Sequence, residues 1–324
     1  MEELFDKRTD LSELSASVEQ IRSTLSRIII GQQEMIELLI AGILADGHIL
    51  IEGVPGVAKT LTARLLAKSI ASRFSRIQFT PDLMPSDVLG TSVFNPKDAS
   101  FQFRQGPIFG NVILVDEINR APAKTQSALF EVMEERQVTI DGQSYPMQEP
   151  FVVLATQNPV EHEGTYRLPE AQLDRFLFKI EVKYPSLEEE TAILVQQHQQ
   201  KTGDKLDEVV AVLSEEQILR YRQQVRNLYV DPKLLEYVAK IIHDTRNNSS
   251  LYLGASPRAS LAVINSAKAI AAMQGRDFVT PEDIVRVVPP VLRHRIILTP
   301  DKEMEGVSAD DVLALIIQKL EVPR

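Results

Sequence analysis

Cysteine is absent from the 324-residue sequence. The chain therefore contains no disulfide, no thiolate nucleophile and no cysteine-ligated metal. Basic residues are also in the minority, with 35 lysines and arginines against 45 aspartates and glutamates and a net charge of −10. Because binding by phosphate neutralisation requires a concentrated basic surface, this balance disfavours a nucleic-acid-binding protein. The dense basic cluster at Leu292–Ile296 is predicted to be a solvated helix end.

The sequence also lacks long hydrophobic runs and metal-ligand patterns. Its first residues, MEELFDKRTD, contain no apolar leader. The apolar stretch at 35–51 is interrupted by Glu37, Asp46 and His48, and it is too short to span a bilayer. The histidines do not have the spacing of metal ligands, and no G-x-S-x-G hydrolase elbow occurs. We therefore expect a cytoplasmic globular protein.

Short apolar segments alternate with helical patterns in the first part of the chain. This alternation predicts an α/β fold with a parallel five-stranded sheet and helices on both faces. An amphipathic helix is predicted at residues 10–30, and the Asp141-Gly142 pair in VTIDGQSYPM predicts a hairpin. The predicted strands are HILIEG, RIQF, NVILVDE, FVVLAT and FKIEV.

The character of the sequence changes after Tyr184-Pro185. Almost every later segment has helical periodicity, and Asp231-Pro232 and Thr280-Pro281 place proline at the first position of a helix. We therefore place a domain boundary near residue 185. Residues 1–185 are expected to form an α/β core with the N-terminal helix, and residues 186–324 an all-helical domain.

The first predicted strand leads into a near match to the phosphate-binding pattern G-x-x-x-x-G-K-[ST]. Such a loop holds phosphates with backbone N–H groups and a helix N-terminus. Lys59 is expected to reach the β- and γ-phosphates, and the Thr60 hydroxyl to ligate Mg²⁺. The candidate nucleotide-binding residues are Gly53, Val54, Pro55, Gly56, Val57, Ala58, Lys59 and Thr60.

Ala58 departs from this pattern, which has glycine at the same position. We expect helical dihedrals there, which need no glycine and suit alanine, the best helix former. On this interpretation the loop still binds a triphosphate. Two alternatives stay open: a chance glycine-rich turn, and a nucleotide-dependent scaffold with negligible hydrolysis.

A second motif, VILVDEINR, has the form of a Walker B strand end. Asp116 would hold Mg²⁺, which keeps several waters and takes few protein carboxylates. Glu117 would orient and deprotonate the attacking water. An acidic pair is also common at ordinary strand ends. The interpretation as a Walker B motif therefore depends largely on the distance in sequence between Lys59 and this pair, which suits a P-loop ATPase.

Five separated blocks resemble the MoxR family of AAA+ ATPases from about residue 15 to the end of the chain. The resemblance implies a P-loop AAA+ core, an all-helical lid domain, and ATP hydrolysis with ATP and Mg²⁺ as cofactors. MoxR proteins often carry the same alanine in the phosphate loop. The blocks are EGVPGVAKT, ILVDEINRAPAKTQSALFEVMEER, VTIDG, ATQNPVEHEGTYRLPEAQLDRF and GASPRA.

The resemblance also implies catalytic roles. Asn158 matches sensor 1, Arg175 the arginine finger that serves the neighbouring subunit, and Arg258 sensor 2. From the residues alone, Asn158 is equally well a turn former before proline, and Arg175 a salt-bridge partner of Asp174. Arg120 and Arg167 are further candidate interface arginines without an assigned role. A helix-2 insertion is implied at residues 83–110, where an exposed hairpin is expected.

The implied function is a hexameric, chaperone-like ring that uses ATP to remodel or activate a protein client. MoxR proteins commonly work with a von Willebrand factor A domain partner. This sequence has no D-x-S-x-S metal motif, so such a partner would be a separate protein. The alternative is a nucleic-acid-remodelling AAA+ motor, which the acidic composition disfavours. The absence of an N-K-x-D motif disfavours a GTPase.

Overall fold

The computed structural model describes residues 9–97, 99–159, 166, 168–199, 206 and 209–323. Within these residues, no helix is long and apolar enough to cross a membrane. The strands are β1 (His48–Gly53), β2 (Ile70–Ala71), β3 (Phe74–Gln78), β4 (Gly90–Asn95), β5 (Ser100–Gln105), β6 (Val112–Asp116), β7 (Gln137–Ile140), β8 (Gln143–Pro146), β9 (Val152–Gln157), β10 (Phe176–Val182), β11 (Leu213–Ser214), β12 (Leu251–Leu253) and β13 (Ile297–Leu298).

The helices begin close to the sites predicted from the sequence. In particular, Pro232 and Pro281 each occupy the first position of a helix, after Asp231 and Thr280. The helices are α1 (Ser12–Ile28), α2 (Gln33–Leu44), α3 (Lys59–Ser69), α4 (Pro85–Leu89), α5 (Ala123–Glu135), α6 (Glu170–Leu173), α7 (Leu187–Gln199), α8 (Glu215–Arg226), α9 (Pro232–Arg246), α10 (Pro257–Met273), α11 (Pro281–Leu292), α12 (Pro300–Met304) and α13 (Ala309–Lys319).

The predicted five-stranded sheet is confirmed, with strand order β10-β1-β9-β6-β3 and parallel pairing throughout. Alternate residues of each strand face opposite sides of a sheet. Leu114 accordingly belongs to one hydrophobic cluster, and Ile113 and Val115 to the other. Every residue of β6 is buried because both faces are covered. The sheet has a carboxyl edge, where β1, β3, β6 and β9 end, and an amino edge, where β1 and β10 begin.

The helices after β10 pack against α1, α2 and β10 of the α/β core. Helices α8 and α10 contact α2, and α11 contacts β10. One hydrophobic cluster runs from α1 and α2 through to α13. The described residues after β10 are mainly helical, and they also contain the short antiparallel ladder β12–β13 and the strand β11, which pairs parallel with β2 of the core. The boundary near residue 185 stays a prediction; β10 ends at Val182 and α7 begins at Leu187.

Two hairpins project from the core. Strands β7 and β8 pair antiparallel, and both turn residues have positive φ (Asp141, 52°; Gly142, 77°), as a type I′ turn requires. The hairpin predicted from the sequence is therefore confirmed. Strands β4 and β5 form a second hairpin within residues 83–110. Its Phe94 and Phe101 side chains are exposed and contact each other in a tilted arrangement with ring centroids 5.3 Å apart, whereas Phe109 is buried.

The basic cluster at Leu292–Ile296 is not a solvated helix end, so that prediction was wrong. His294 and Arg295 are buried, with relative exposures of 8% and 9%. The His294 ring donates from Nε2 to the Phe176 carbonyl (3.0 Å). Burial lowers the pKa of His294 well below its ordinary value. Backbone carbonyls at the start of β10 take the place of water around these side chains, a tertiary contact that local sequence does not reveal.

Candidate active site

The phosphate-binding loop lies at the carboxyl edge, between β1 and α3. It borders a cavity of about 370 Å³. In open parallel sheets, ligands bind outside the carboxyl ends of the strands. The residues that line the cavity are Pro55, Gly56, Ala58, Lys59, Thr60, Leu61, Arg76, Gln78, Asp116, Glu117, Thr156, Gln157 and Asn158.

Glycines keep the loop open and close to the sheet. A Cβ on Gly53 would approach the Val182 carbonyl oxygen of β10 to 2.8 Å, so β1 and β10 meet there without room for a side chain. Gly56 has φ of +87°, and a Cβ on it would meet nothing within 4 Å. The backbone at Gly56 therefore faces open space that a phosphate can approach. Lys59 donates from Nζ to the carbonyl oxygens of Gly53 and Gln157, which holds its ammonium group between the loop and β9.

Ala58 does not have the helical dihedrals predicted from the sequence. It precedes α3 with φ 60° and ψ 18°, in the left-handed region. A left-handed residue with a Cβ costs roughly 1–2 kcal/mol, which glycine avoids. The predicted conformation of Ala58 was wrong. A helix propensity scale contains no information on the positive φ that the loop requires immediately before the helix. Strain of this kind persists where the surrounding structure holds it, and it clusters at functional sites.

The side chains at the end of β6 fit a magnesium site. Asp116 is buried, and its Oδ1 accepts from the hydroxyls of Thr60 and Thr156, each at 3.1 Å. Carboxylate and hydroxyl oxygens are hard ligands that suit Mg²⁺, which completes its shell with water and substrate phosphates. The second carboxylate oxygen, Oδ2, accepts from Arg76 Nε at 2.7 Å. Thr60 and Asp116 thus have the chemistry and the proximity to hold the ion together.

Glu117 is held in an unusual backbone conformation next to this site. Its φ and ψ are 58° and 51°, in the left-handed region. Its N–H donates to Thr156 Oγ1 (3.0 Å), and its Oε2 accepts from Gln78 Nε2 (3.0 Å) and pairs with Arg120 Nε (3.1 Å). The carboxylate therefore faces the cavity with a defined orientation, as a group that positions water requires.

Three residues of this network, Arg76, Gln78 and Thr156, were missed by the sequence analysis as functional groups, and Arg120 was named there without a role. Arg76 and Gln78 alternate along β3 and so lie on one face, each beside one carboxylate of the Asp116-Glu117 pair. Thr156 lies near the end of β9, and Arg120 lies one turn after Glu117. The period-two spacing on β3 was the available signal. The sequence does not show which strand lies beside β6, because strand order is a property of the tertiary structure.

Asn158 lines the same cavity. It follows β9 directly and is 7% exposed. Its location at the carboxyl edge matches the position expected for sensor 1, and its role stays a prediction. Arg167 lies outside the described residues.

Arg175 and Arg258 lie together, away from the phosphate loop of their own chain. Arg175 immediately precedes β10 and so lies at the amino edge, opposite the loop. Its Nε is 3.4 Å from Glu134 Oε2. Arg258, at the start of α10, binds both oxygens of the same carboxylate (Nη1–Oε1 3.3 Å, Nη2–Oε2 3.0 Å). Asp174 accepts instead from Arg295 Nε at 2.6 Å.

A P-loop at the carboxyl edge of a five-stranded parallel sheet, followed by a helical lid, defines a AAA+ ATPase. The family model described as ATPases associated with various cellular activities matches residues 48–178, and the AAA lid domain model matches residues 243–316. The chain belongs to the MoxR family of these ATPases and hydrolyses ATP.

Individual relatives are similar over nearly the whole chain. "Chaperone MoxR1" of Mycobacterium tuberculosis is 46% identical over 93% of this chain and 81% of its own length. "Uncharacterized protein YeaC" of Bacillus subtilis is 47% identical over 92% of each chain. A crystal structure of a proposed ATPase from Cytophaga hutchinsonii superposes with a TM-score of 0.87 at 41% identity, covering 96% of each chain. These similarities give no support to the alternative of a nucleic-acid motor.

Proposed function

We propose that this ATPase works as a ring, hexameric as in the family it resembles, in which each nucleotide site is completed by the neighbouring subunit. The observation that carries the proposal is the separation of the catalytic groups. Lys59, Thr60, Asp116 and Glu117 line the cavity at the carboxyl edge, whereas Arg175 lies at the amino edge. A head-to-tail ring interface brings opposite surfaces of successive subunits together.

Within one site, the residues divide the work of phosphoryl transfer. The loop from Gly53 to Thr60 binds the triphosphate, with the Lys59 ammonium on its β- and γ-phosphates. Thr60 and Asp116 would hold Mg²⁺, which would neutralise part of the charge of the phosphates. Glu117 accepts the proton of the attacking water and Asn158 positions that water. Arg175, from the neighbour, stabilises the charge that develops on the γ-phosphate.

Arg258 serves the same site as Arg175. Both arginines form ion pairs with Glu134. The start of the lid helix α10 therefore belongs to the same surface as Arg175, the surface proposed to face the nucleotide site of the neighbouring subunit. This arrangement supports a sensor 2 that acts between subunits. The proposed domain boundary near residue 185 agrees with this role, because α10 follows the boundary and so belongs to the lid domain.

The work done by the ring is remodelling or activation of a protein client. The name "Chaperone MoxR1" of one relative supports this part of the proposal. The hairpin β4–β5 offers exposed Phe94 and Phe101 side chains as client-facing apolar groups. A von Willebrand factor A domain protein, encoded separately, is the proposed partner. The cytoplasmic location expected from the sequence stays a prediction.

A client trap tests this function. Glu117→Gln keeps the size of the side chain and removes its basicity, so the variant should bind ATP and leave it uncleaved. It is recovered from native extract in ATP and, separately, in ADP, with Lys59→Ala as the matched variant that does not retain nucleotide. Protein held by Glu117→Gln in ATP alone supports remodelling. Equal recovery in ADP and by Lys59→Ala refutes it, and recovered nucleic acid that salt releases would point to a motor.

A further inference from the structure

Glu134 is the shared anchor of the two arginines at the amino edge. It lies in the last turn of α5, and its carboxylate receives the bidentate pair from Arg258 and the single contact from Arg175. The Arg258 guanidinium beside Glu134 lowers the pKa of that carboxyl, followed by a smaller effect of Arg175. The group is therefore ionised near neutral pH, and one negative charge separates two positive ones.

The contact with Arg175 has a direction. Glu134 meets this arginine at Nε, which is the inner nitrogen of the guanidinium group. The Nη1–Nη2 end of the Arg175 guanidinium group has the fork geometry that suits phosphate oxygens, and the carboxylate approaches the group at Nε instead. Arg258 instead gives both Nη atoms to Glu134. The contact with Arg258, on the lid helix α10, therefore fixes the carboxylate of Glu134. The fixed carboxylate in turn orients Arg175, which belongs to the core.

The main chain that carries Arg175 is also fixed. Arg295, buried at the end of α11, bonds the carbonyl oxygens of Asp174 (3.1 Å), Phe176 (2.6 Å) and Leu177 (3.1 Å). With the backbone held on both sides of Arg175, the remaining freedom is in its side chain. The Glu134 contact restrains that side chain.

Stability does not account for the cluster. The side chains of Arg175, Glu134 and Arg258 have relative exposures of 31%, 37% and 52%. Ion pairs at such exposure contribute about 0–1 kcal/mol, because solvent screens them and holding long side chains costs entropy. Two arginines side by side without a carboxylate would repel each other. The negative charge of Glu134 thus reduces the repulsion between the two neighbouring guanidinium groups.

Helix α5 links this cluster to the opposite edge. It begins just after the Ile118–Arg120 turn that follows Glu117, and it ends at the amino edge, where the Met133 carbonyl meets Nε2 of His48, the first residue of β1. At about 1.5 Å per residue the helix spans about 20 Å. Glu134 is therefore connected to the catalytic carboxylate of its own subunit through one helix and the short turn that precedes it.

We propose that Glu134 is a positioning residue that aims Arg175 at the triphosphate of the neighbouring subunit, and that Arg258 secures it there from the lid. This inference rests on the proposed ring. Because Glu134 acts through Arg175, its loss should impair hydrolysis in the neighbour and leave nucleotide binding in its own subunit intact.

The test uses the full chain with Glu134→Gln, which keeps the shape and removes the charge. Its matched control is Glu135→Gln, the next residue of α5, which is also exposed. At a protein concentration that saturates assembly, kcat of Glu134→Gln should fall by about 10- to 100-fold, since misplacement of a catalytic group by about 1 Å costs that much. The affinity for a fluorescent ADP analogue and the melting temperature should match wild type, and Glu135→Gln should keep full activity. Unchanged kcat would overturn the proposal.

Mixed rings separate positioning from a local structural role. Glu134→Gln subunits have an intact phosphate loop, and Lys59→Ala subunits have intact Glu134 and Arg175. Mixed in equal amounts, they should regain activity, to about half of wild type per Glu134→Gln subunit if a head-to-tail ring assembles at random. Arg175→Ala mixed with Lys59→Ala provides the reference.

The two mixtures distinguish the possible failures. If the Arg175→Ala mixture regains activity and the Glu134→Gln mixture does not, Glu134 acts inside its own subunit and the inference is wrong. If neither mixture regains activity, the arginines do not act between subunits, and the proposed ring mechanism fails with it. The double variant Glu134→Gln, Arg175→Ala should be no slower than Arg175→Ala alone, because contacting residues that act as a unit are not additive.

Discussion

Replacing Ala58 with glycine should stabilise the protein, although the replacement weakens most helices. Ala58 has a φ of 60° immediately before α3. Relief of the left-handed conformation gains roughly 1–2 kcal/mol, and the greater freedom of glycine in the unfolded chain offsets about 0.4–1 kcal/mol. The net gain in the free energy of unfolding is therefore on the order of 0.5–1 kcal/mol. The helical dihedrals inferred from the sequence predict the opposite sign, a loss of about 1 kcal/mol.

Thermal and chemical denaturation measure whether Ala58→Gly raises or lowers the free energy of unfolding. A change of 1 kcal/mol shifts the melting temperature of a domain of 150–250 residues by about 2–4 °C, so we expect a rise of about 1 °C for the larger chain. Gly56→Ala is the matched reverse variant. It places a Cβ where φ is +87° and no atom lies within 4 Å, so its cost is conformational alone. It should lower the melting temperature by a comparable amount.

The same variant tests the scaffold hypothesis. If the alanine is tolerated, Ala58→Gly should change the affinity for ATP and the rate of hydrolysis by no more than about threefold, equivalent to less than 1 kcal/mol. Hydrolysis that appears only in the glycine variant would show that the natural loop is a binding scaffold. A fall in melting temperature, with Gly56→Ala neutral, would refute the left-handed assignment of Ala58.

Burial lowers the pKa of His48 to about 4, and its Nδ1 accepts from the Val153 N–H, so the folded state resists protonation below the ordinary value of 6.5. His48 alone should therefore lower the free energy of unfolding as pH drops from 6.5, by about 2 kcal/mol at pH 5, and His48→Gln should remove that part of the loss in denaturant titrations. Arg76 pairs with Asp116, so in the proposed site it would compete with Mg²⁺ for that carboxylate. Arg76→Met should therefore lower the Mg²⁺ concentration for half-maximal ATP binding by about threefold, whereas Arg73→Met should leave it unchanged. A higher Mg²⁺ requirement in Arg76→Met would contradict this competition. Phe101→Ser should leave the melting temperature within about 1 °C because the ring is exposed, yet it should release the client held by the Glu117→Gln trap.

The sequence predicted the parts of this protein that depend on local pattern. The strands that deliver Gly53, Asp116 and Asn158 were predictable because buried parallel strands are short and apolar and end in glycine or polar residues. The hairpin at Asp141-Gly142 followed from residues that tolerate positive φ. In these cases the determining interaction lies within a few residues.

The parts that the sequence did not predict depend on which elements become neighbours. Arg76 and Gln78 gained a role only when β3 was placed beside β6. The cluster at Leu292–Ile296 was assigned to solvent because its charges are dense, yet carbonyl groups of β10 satisfy His294 and Arg295. Ala58 was assigned the wrong dihedrals because propensity averages over positions. Each error concerns a residue whose partner is distant in sequence or whose backbone is strained.

The position of the two edges is the physical argument for the proposed ring. Parallel strands place Glu117 and the phosphate loop at one edge, and the residue before β10 at the other, and no rearrangement of side chains can bring them together. Helix α5 runs towards the second edge, and only the short segment from Ile118 to Pro122 separates it from Glu117, so a movement at Glu117 on hydrolysis would reach Glu134 through that segment and one helix. In the proposed ring, a shift of Glu134 would also displace Arg175 and the lid arginine Arg258, the groups that serve the next subunit. Hydrolysis in one subunit would then affect the next, and the mixed-ring experiment measures the last step of this route, the action of Glu134 on the neighbouring site.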